Sequence, residues 1–102
     1  MKTDYAIIHK NWNGIEIEIR WIADYVSFDD GQSMAHLEIE SISPVRAPLP
    51  ITETGYRSHF INRSNVDHMG GPGAYVEAWI DEMSHTHAWR ETAAASKQLA
   101  LF

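Results

Sequence analysis

The chain has 102 residues, no cysteine, 44% apolar and 22% charged residues, and a formal charge of −6 from fourteen acidic and eight basic side chains. That length fits one domain able to bury roughly two-thirds of its unfolded surface, and the missing cysteines exclude disulfides, iron–sulfur clusters and thiol nucleophiles. The eight basic residues are scattered, which argues against direct nucleic-acid binding by broad phosphate neutralisation.

No apolar run is long enough for a membrane helix or a secretory signal, so the expected setting is the cytoplasm. The acidic charge favours encounter with a basic surface, such as the nucleic-acid groove of another protein.

Residues Asp4 to His9 read as a first strand, followed by the turn Asn11-Trp12-Asn13-Gly14, whose Asn-Gly pair supplies the positive φ of a tight hairpin. Ile15, Ile17, Ile19 and Trp21 then alternate with Glu16, Glu18 and Arg20, the period of a half-buried antiparallel strand. Asp29-Asp30-Gly31 predicts a three-residue hairpin loop. With Phe28 opposite Gln32, Trp21 faces Ile39, Ala23 faces Leu37 and Arg20 lies across from Glu40. A third strand over Met34 to Ile42 thereby shares an outer face with Glu16, Glu18 and Arg20, to which it adds His36, Glu38 and Glu40.

Pro44, Pro48 and Pro50 predict an extended surface connector, and Gly55 permits a turn or close approach before a fourth strand over Thr54 to Ile61. In that strand Arg57 and His59 share one face, with Tyr56, Ser58 and Phe60 on the other. Residues 62–73 read as a Gly-rich loop ending His68-Met69-Gly70-Gly71-Pro72-Gly73. From Ala74 to Ser84 the spacing is helical, with Tyr75, Ala78, Trp79 and Met83 on one stripe and Trp79 assigned to the core together with Trp21. Ser84 or Thr86 can cap a second helix starting near Ala88, whose spacing continues through Trp89, Ala93, Ser96 or Lys97, and Ala100. The apolar ending Leu99 to Phe102 is expected to dock on the sheet or on another subunit.

The expected fold is α+β, a four-stranded antiparallel meander with one or two C-terminal helices packed on one face. A single domain spans residues 1–102, with a β-sheet region over residues 1–61, a loop over 62–73 and a helical region over 74–102.

Several constellations bear on chemistry. Asp81 and His85 are four apart on a helix and, with His87 or His68, have loose metal-ligand spacing, but no His-Glu-x-x-His motif supports them, so no metal or other cofactor is expected. Arg57 and His59 with Glu53 and Thr52, or with the His68 to Gly73 loop, compose an anion-binding or acid–base site if they converge. Ser58 and Ser64 lack the Gly-x-Ser-x-Gly context of a hydrolase. Tyr, Trp and Arg are the usual energetic anchors of protein interfaces, which marks Trp12, Tyr56, Arg57 and Trp89.

The segments Asn11 to Trp21, His36 to Ile42, Pro48 to Phe60 and Gly71 to Trp79 resemble small uncharacterised proteins of proteobacterial plasmids and integrative elements. The resemblance implies a setting in which small acidic proteins counter host defences, as anti-restriction and anti-CRISPR proteins do. The expected function is therefore non-catalytic binding to a host-defence protein with a basic surface, through Tyr56, Arg57 and His59, with Glu16, Glu18, Glu38, Glu40 and Trp12. A small enzyme or sensor at Arg57, His59 and the His68–Gly73 loop is the alternative, and a homodimer joined through the last helix or a sheet edge is a further expectation.

Overall fold

The structure, a computed structural model, describes residues 5–100, with side chains in the last helix through residue 95. Its elements are β1 (Ala6–Trp12), β2 (Ile15–Ser27), β3 (Ser33–Ser43), β4 (Tyr56–Asn62), α1 (Arg63–His68), α2 (Pro72–Met83) and α3 (His87–Ala100). The four strands pair antiparallel in the order β1-β2-β3-β4, the expected α+β meander. Asp4 and the expected docking of Leu99 to Phe102 lie outside the described residues or side chains.

Local turn chemistry sets the first two hairpins. Asn13 and Gly14 both have positive φ, 49° and 85°, so β1 and β2 close at Trp12 opposite Ile15. At the second hairpin the Phe28 amide donates to the Gln32 carbonyl at 2.8 Å, as the Asp29-Asp30-Gly31 loop predicts. Farther along, the pairing departs from expectation. A bulge between Ile22 and Val26 shifts the register by two residues, so Trp21 faces Leu37, Ile19 faces Ile39 and Arg20 faces Glu38. An even shift leaves every side chain on its original face, and the acidic residues stay together.

One face of the sheet carries Ile17, Ile19, Leu37 and Ile39, which pack with Val76 and Ile80 of α2 into the main core. Fully burying such side chains contributes about 1.5–3 kcal/mol each. The buried stripe of α2 is centred on Val76 and Ile80; Tyr75, Trp79 and Met83 flank it and are only partly buried, as is Trp21. Pro72 occupies the first turn of α2, where its missing N–H costs nothing. Thr86 caps α3, accepting a bond from the Trp89 amide at 3.2 Å.

Two stretches differ from the sequence expectation. The proline connector is not merely a surface strap, because Leu49 and Ile51 are buried in the core and Leu49 bridges Thr52 in a tight turn. Gly55 then passes against the Arg46 backbone, and β4 begins at Tyr56 rather than Thr54. Within residues 62–73 the chain forms α1 before the glycines. The Asn62 side chain accepts from the Ser64 amide, Val66 is buried beneath, and Arg63 bonds Asp67 four residues on.

Candidate functional site

α2 covers the apolar face of the sheet, and no element among the described residues covers the opposite face. Strand alternation puts His9, Glu18, Glu40 and Tyr56 in one row across this outer face, with Ile7, Arg20, Glu38 and Ser58 in the next. Arg20 is the hub. Its Nε donates to Glu38 Oε1 at 3.2 Å, its Nη2 to Glu40 Oε1 at 3.0 Å and its Nη1 to Glu18 Oε2. Glu38 also accepts from the Tyr56 hydroxyl at 2.6 Å, and Glu18 is bonded to His9 Nε2 at 3.1 Å.

These bonds fix the charges. The hydrogen bond from His9, then that from Arg20, holds Glu18 below the usual carboxylate range. For Glu38 the bond from Tyr56 comes first, outweighing partial burial with help from Arg20. Burial pulls the Arg20 guanidinium down, but its three carboxylate partners more than offset this and leave it raised. Glu16 lies exposed at the acidic end of the face.

The other end of the face is aromatic. His36, 7% exposed, stacks on Phe60 with ring centroids 4.3 Å apart, and Tyr25 leans on both at 5.3 and 5.4 Å. Both imidazole nitrogens are bonded, Nδ1 to the Tyr5 hydroxyl and Nε2 to Ser58 Oγ, each at 2.7 Å. Strand alternation in the sequence puts His36 and Phe60 on this side of their strands but does not gather them with Tyr5 and Tyr25. Period-2 parity, extended across the strand pairs, is the signal that brings His36 to Phe60.

The three central anchors do not form one surface. Tyr56 belongs to the outer face, whereas Arg57 and His59 point to the helix-covered side. Arg57 Nη1 donates to the Ile51 carbonyl at 2.8 Å, and the guanidinium carbon lies 5.0 Å from the centre of the Trp79 ring. His59 packs on Trp79 at 4.5 Å with its Nε2 3.3 Å from the Tyr75 hydroxyl. Burial and then the neighbouring Arg57 push its pKa down. Trp12 likewise belongs to the inner side, where its indole donates to Asp81 Oδ1 at 3.1 Å and its ring meets Trp89 at 5.8 Å.

Arg57 does line an open groove of about 400 Å³ with Thr52, Glu53, Thr86 and Trp89, but neither His59 nor His68 is in its wall. His68 ends α1 on the exposed surface. The convergence that the anion-site alternative requires is therefore missing, and the groove that Arg57 lines also carries an acidic residue, Glu53. Asp81 is engaged by Trp12, and His87 bonds Glu91 at 2.9 Å. Among the described residues no group of three or more His, Asp or Glu side chains is placed to hold a metal ion, and no helix is long and apolar enough to cross a membrane.

A family model described as the KlcB third domain matches residues 5–89. The chain belongs to that family. KlcB is a plasmid-encoded protein, and membership of this family is compatible with a mobile-element setting. The match spans all four strands, α1, α2 and the first residues of α3, and therefore both the acidic and the aromatic end of the open face. No curated protein matches the chain. No solved structure matches it either.

Proposed function

We propose that this KlcB third-domain chain is a non-catalytic binding module that blocks or modulates a protein of host defence or plasmid maintenance, engaging a basic surface on it through the open face of the sheet. The observation that carries this reading is the arrangement around Arg20, where Glu18, Glu38 and Glu40 hold fixed positions on an uncovered face. Fixed carboxylates meet a basic partner without the entropy cost of ordering long side chains, and they steer its approach. The plasmid association of the family supports the setting. An anti-restriction or anti-CRISPR-like role, with a nuclease or defence complex as target, follows from that setting and from the sign of the charge.

The test is affinity capture from host lysate at low and at physiological salt, with the wild-type chain and with Glu16→Lys/Glu40→Lys. A defence or maintenance protein retained by the wild type, released by salt and lost with the charge reversals, is the expected result. Retention of no such protein at low salt, or equal retention by the reversed variant, overturns the reading.

A further inference from the structure

The acidic half of the open face is accompanied by an apolar half that no described element covers. Phe60 and Tyr25 are 53% and 46% exposed, and their ring centroids lie 5.4 Å apart. Phe60 and Tyr25 rest on the rigid, doubly bonded ring of His36. Contiguous exposed apolar surface of this kind marks a contact site. Rigid aromatic rings are favoured anchors because little side-chain freedom is lost when they are covered.

The two halves have a defined separation. His36 pairs with Phe60 and Glu40 pairs with Tyr56. The rows are four residue steps apart along the strands, or about 13 Å at the usual rise. At the acidic end, Glu40 gives Oε1 to Arg20, and Glu16 makes no ion pair among the described residues. Glu16, Glu18, Glu38 and Glu40 against the single guanidinium leave a surplus of three negative charges on this face, before His9 is counted.

We propose that the face is a two-point docking surface for a protein segment that seats an apolar side chain over Phe60 and Tyr25 and, about 13 Å along the strands, an arginine or lysine at Glu40, with Glu16 the next same-face acidic residue beyond it. This rests on the protein-binding reading above and adds the chemistry of the partner. An extended segment meets both points with residues four apart, since positions i and i+4 share a face at that distance. Charge decides between the possible occupants. A nucleic-acid strand has rings to stack on Phe60 and Tyr25, but its phosphates would meet the carboxylate surplus, and Arg20 is already enclosed by three carboxylates. A second copy, stacked face on face, would bring no free cation to these carboxylates, because its own face carries the same four glutamates and an Arg20 already enclosed by three of them.

The experiment is a two-dimensional NMR titration of the isotopically labelled full chain with three capped peptides in one Gly-Ser host: Trp and Arg four positions apart, Trp and Glu four apart, and Trp and Arg adjacent. The first peptide is expected to bind at least tenfold more tightly than the other two and to shift amides both near residues 36 and 60 and near residues 40 and 56. Phe60→Ser and Tyr25→Ser are each expected to weaken it at least fivefold with the salt dependence retained. Glu16→Lys/Glu40→Lys should weaken it and remove that dependence. Both aromatic side chains are surface-exposed, and if one variant melts early the other carries the test. Equal affinity for the Arg and Glu peptides, shifts confined to the groove of Arg57 and Trp89, or concentration-dependent shifts of the same face without peptide overturn the proposal. If host capture depends on Glu16 and Glu40 yet ignores Phe60→Ser and Tyr25→Ser, the binding reading stands and the two-point surface falls. If the peptide binds as expected and no host protein is captured, the surface stands and the host target falls.

Discussion

Glu18 and Glu40 stand directly opposite each other across β2 and β3, a like-charge pair that destabilises a sheet when left alone. Arg20, two residues along, bonds both, and Glu38 as well. Arg20→Met is therefore expected to lower stability by about 2 kcal/mol, because it leaves three partly buried carboxylates crowded without their counter-ion. Urea unfolding measures it, and added salt should recover some of the loss. Glu18 and Glu38 have depressed pKa values when folded, so their contribution is complete above the ordinary carboxylate pKa and is lost as pH falls through the lower folded values. In Arg20→Met this acid sensitivity should diminish.

His59 gives a second pH dependence at milder acidity. Burial and Arg57 lower its folded pKa, so the unfolded chain takes up a proton first. Its stabilising contribution is therefore complete above the unfolded value of about 6.5 and declines as pH falls toward the folded one. The thermal midpoint of the wild type should drop between pH 7.5 and 5.5 by more than that of His59→Phe, which keeps the packing on Trp79 and cannot titrate. Parallel midpoint curves for the two proteins would contradict this assignment.

Gly55 and Gly31 separate backbone strain from steric clash. Both have positive φ, 77° and 86°, and alanine is strained at either. At Gly31 an added Cβ meets open space, whereas at Gly55 it lies 2.6 Å from the Arg46 carbonyl carbon. Gly31→Ala is expected to cost about 1 kcal/mol, and Gly55→Ala at least 2 kcal/mol more by chemical denaturation, on the order of an overpacked core.

Trp12 ties β1 to the helical layer through its bond to Asp81 and its contact with Trp89. Trp12→Ala should cost about 3 kcal/mol. Amide exchange in α3 should accelerate more than in β3, whose central residues are held by the core on both sides of the strand pairing.

The Asn13-Gly14 hairpin, the alternation from Ile15 to Trp21 and the Phe28–Gln32 closure were legible because a few neighbouring residues encode each of them. The register of β2 on β3 was not, since the bulge beyond Ile22 places two extra residues where no glycine or proline marks them. The acidic cluster is unaffected by that difference only because the shift is even. Helix α1 was hidden by residues that serve turns equally well, and its deciding term is the burial of Val66.

By itself the sequence determined the meander, the helical second half and which side chains share a strand face, because turn chemistry and the period of two are local properties. It also separated Tyr56 from Arg57 and His59. Only the tertiary structure decided which of those two faces α2 would cover, that Leu49 and Ile51 would enter the core from a proline-rich strap, and that Tyr25 and Phe60 would meet over His36. These outcomes depend on contacts between residues far apart in the chain, whose free energy comes from burial in a shared space and is not carried by any one segment.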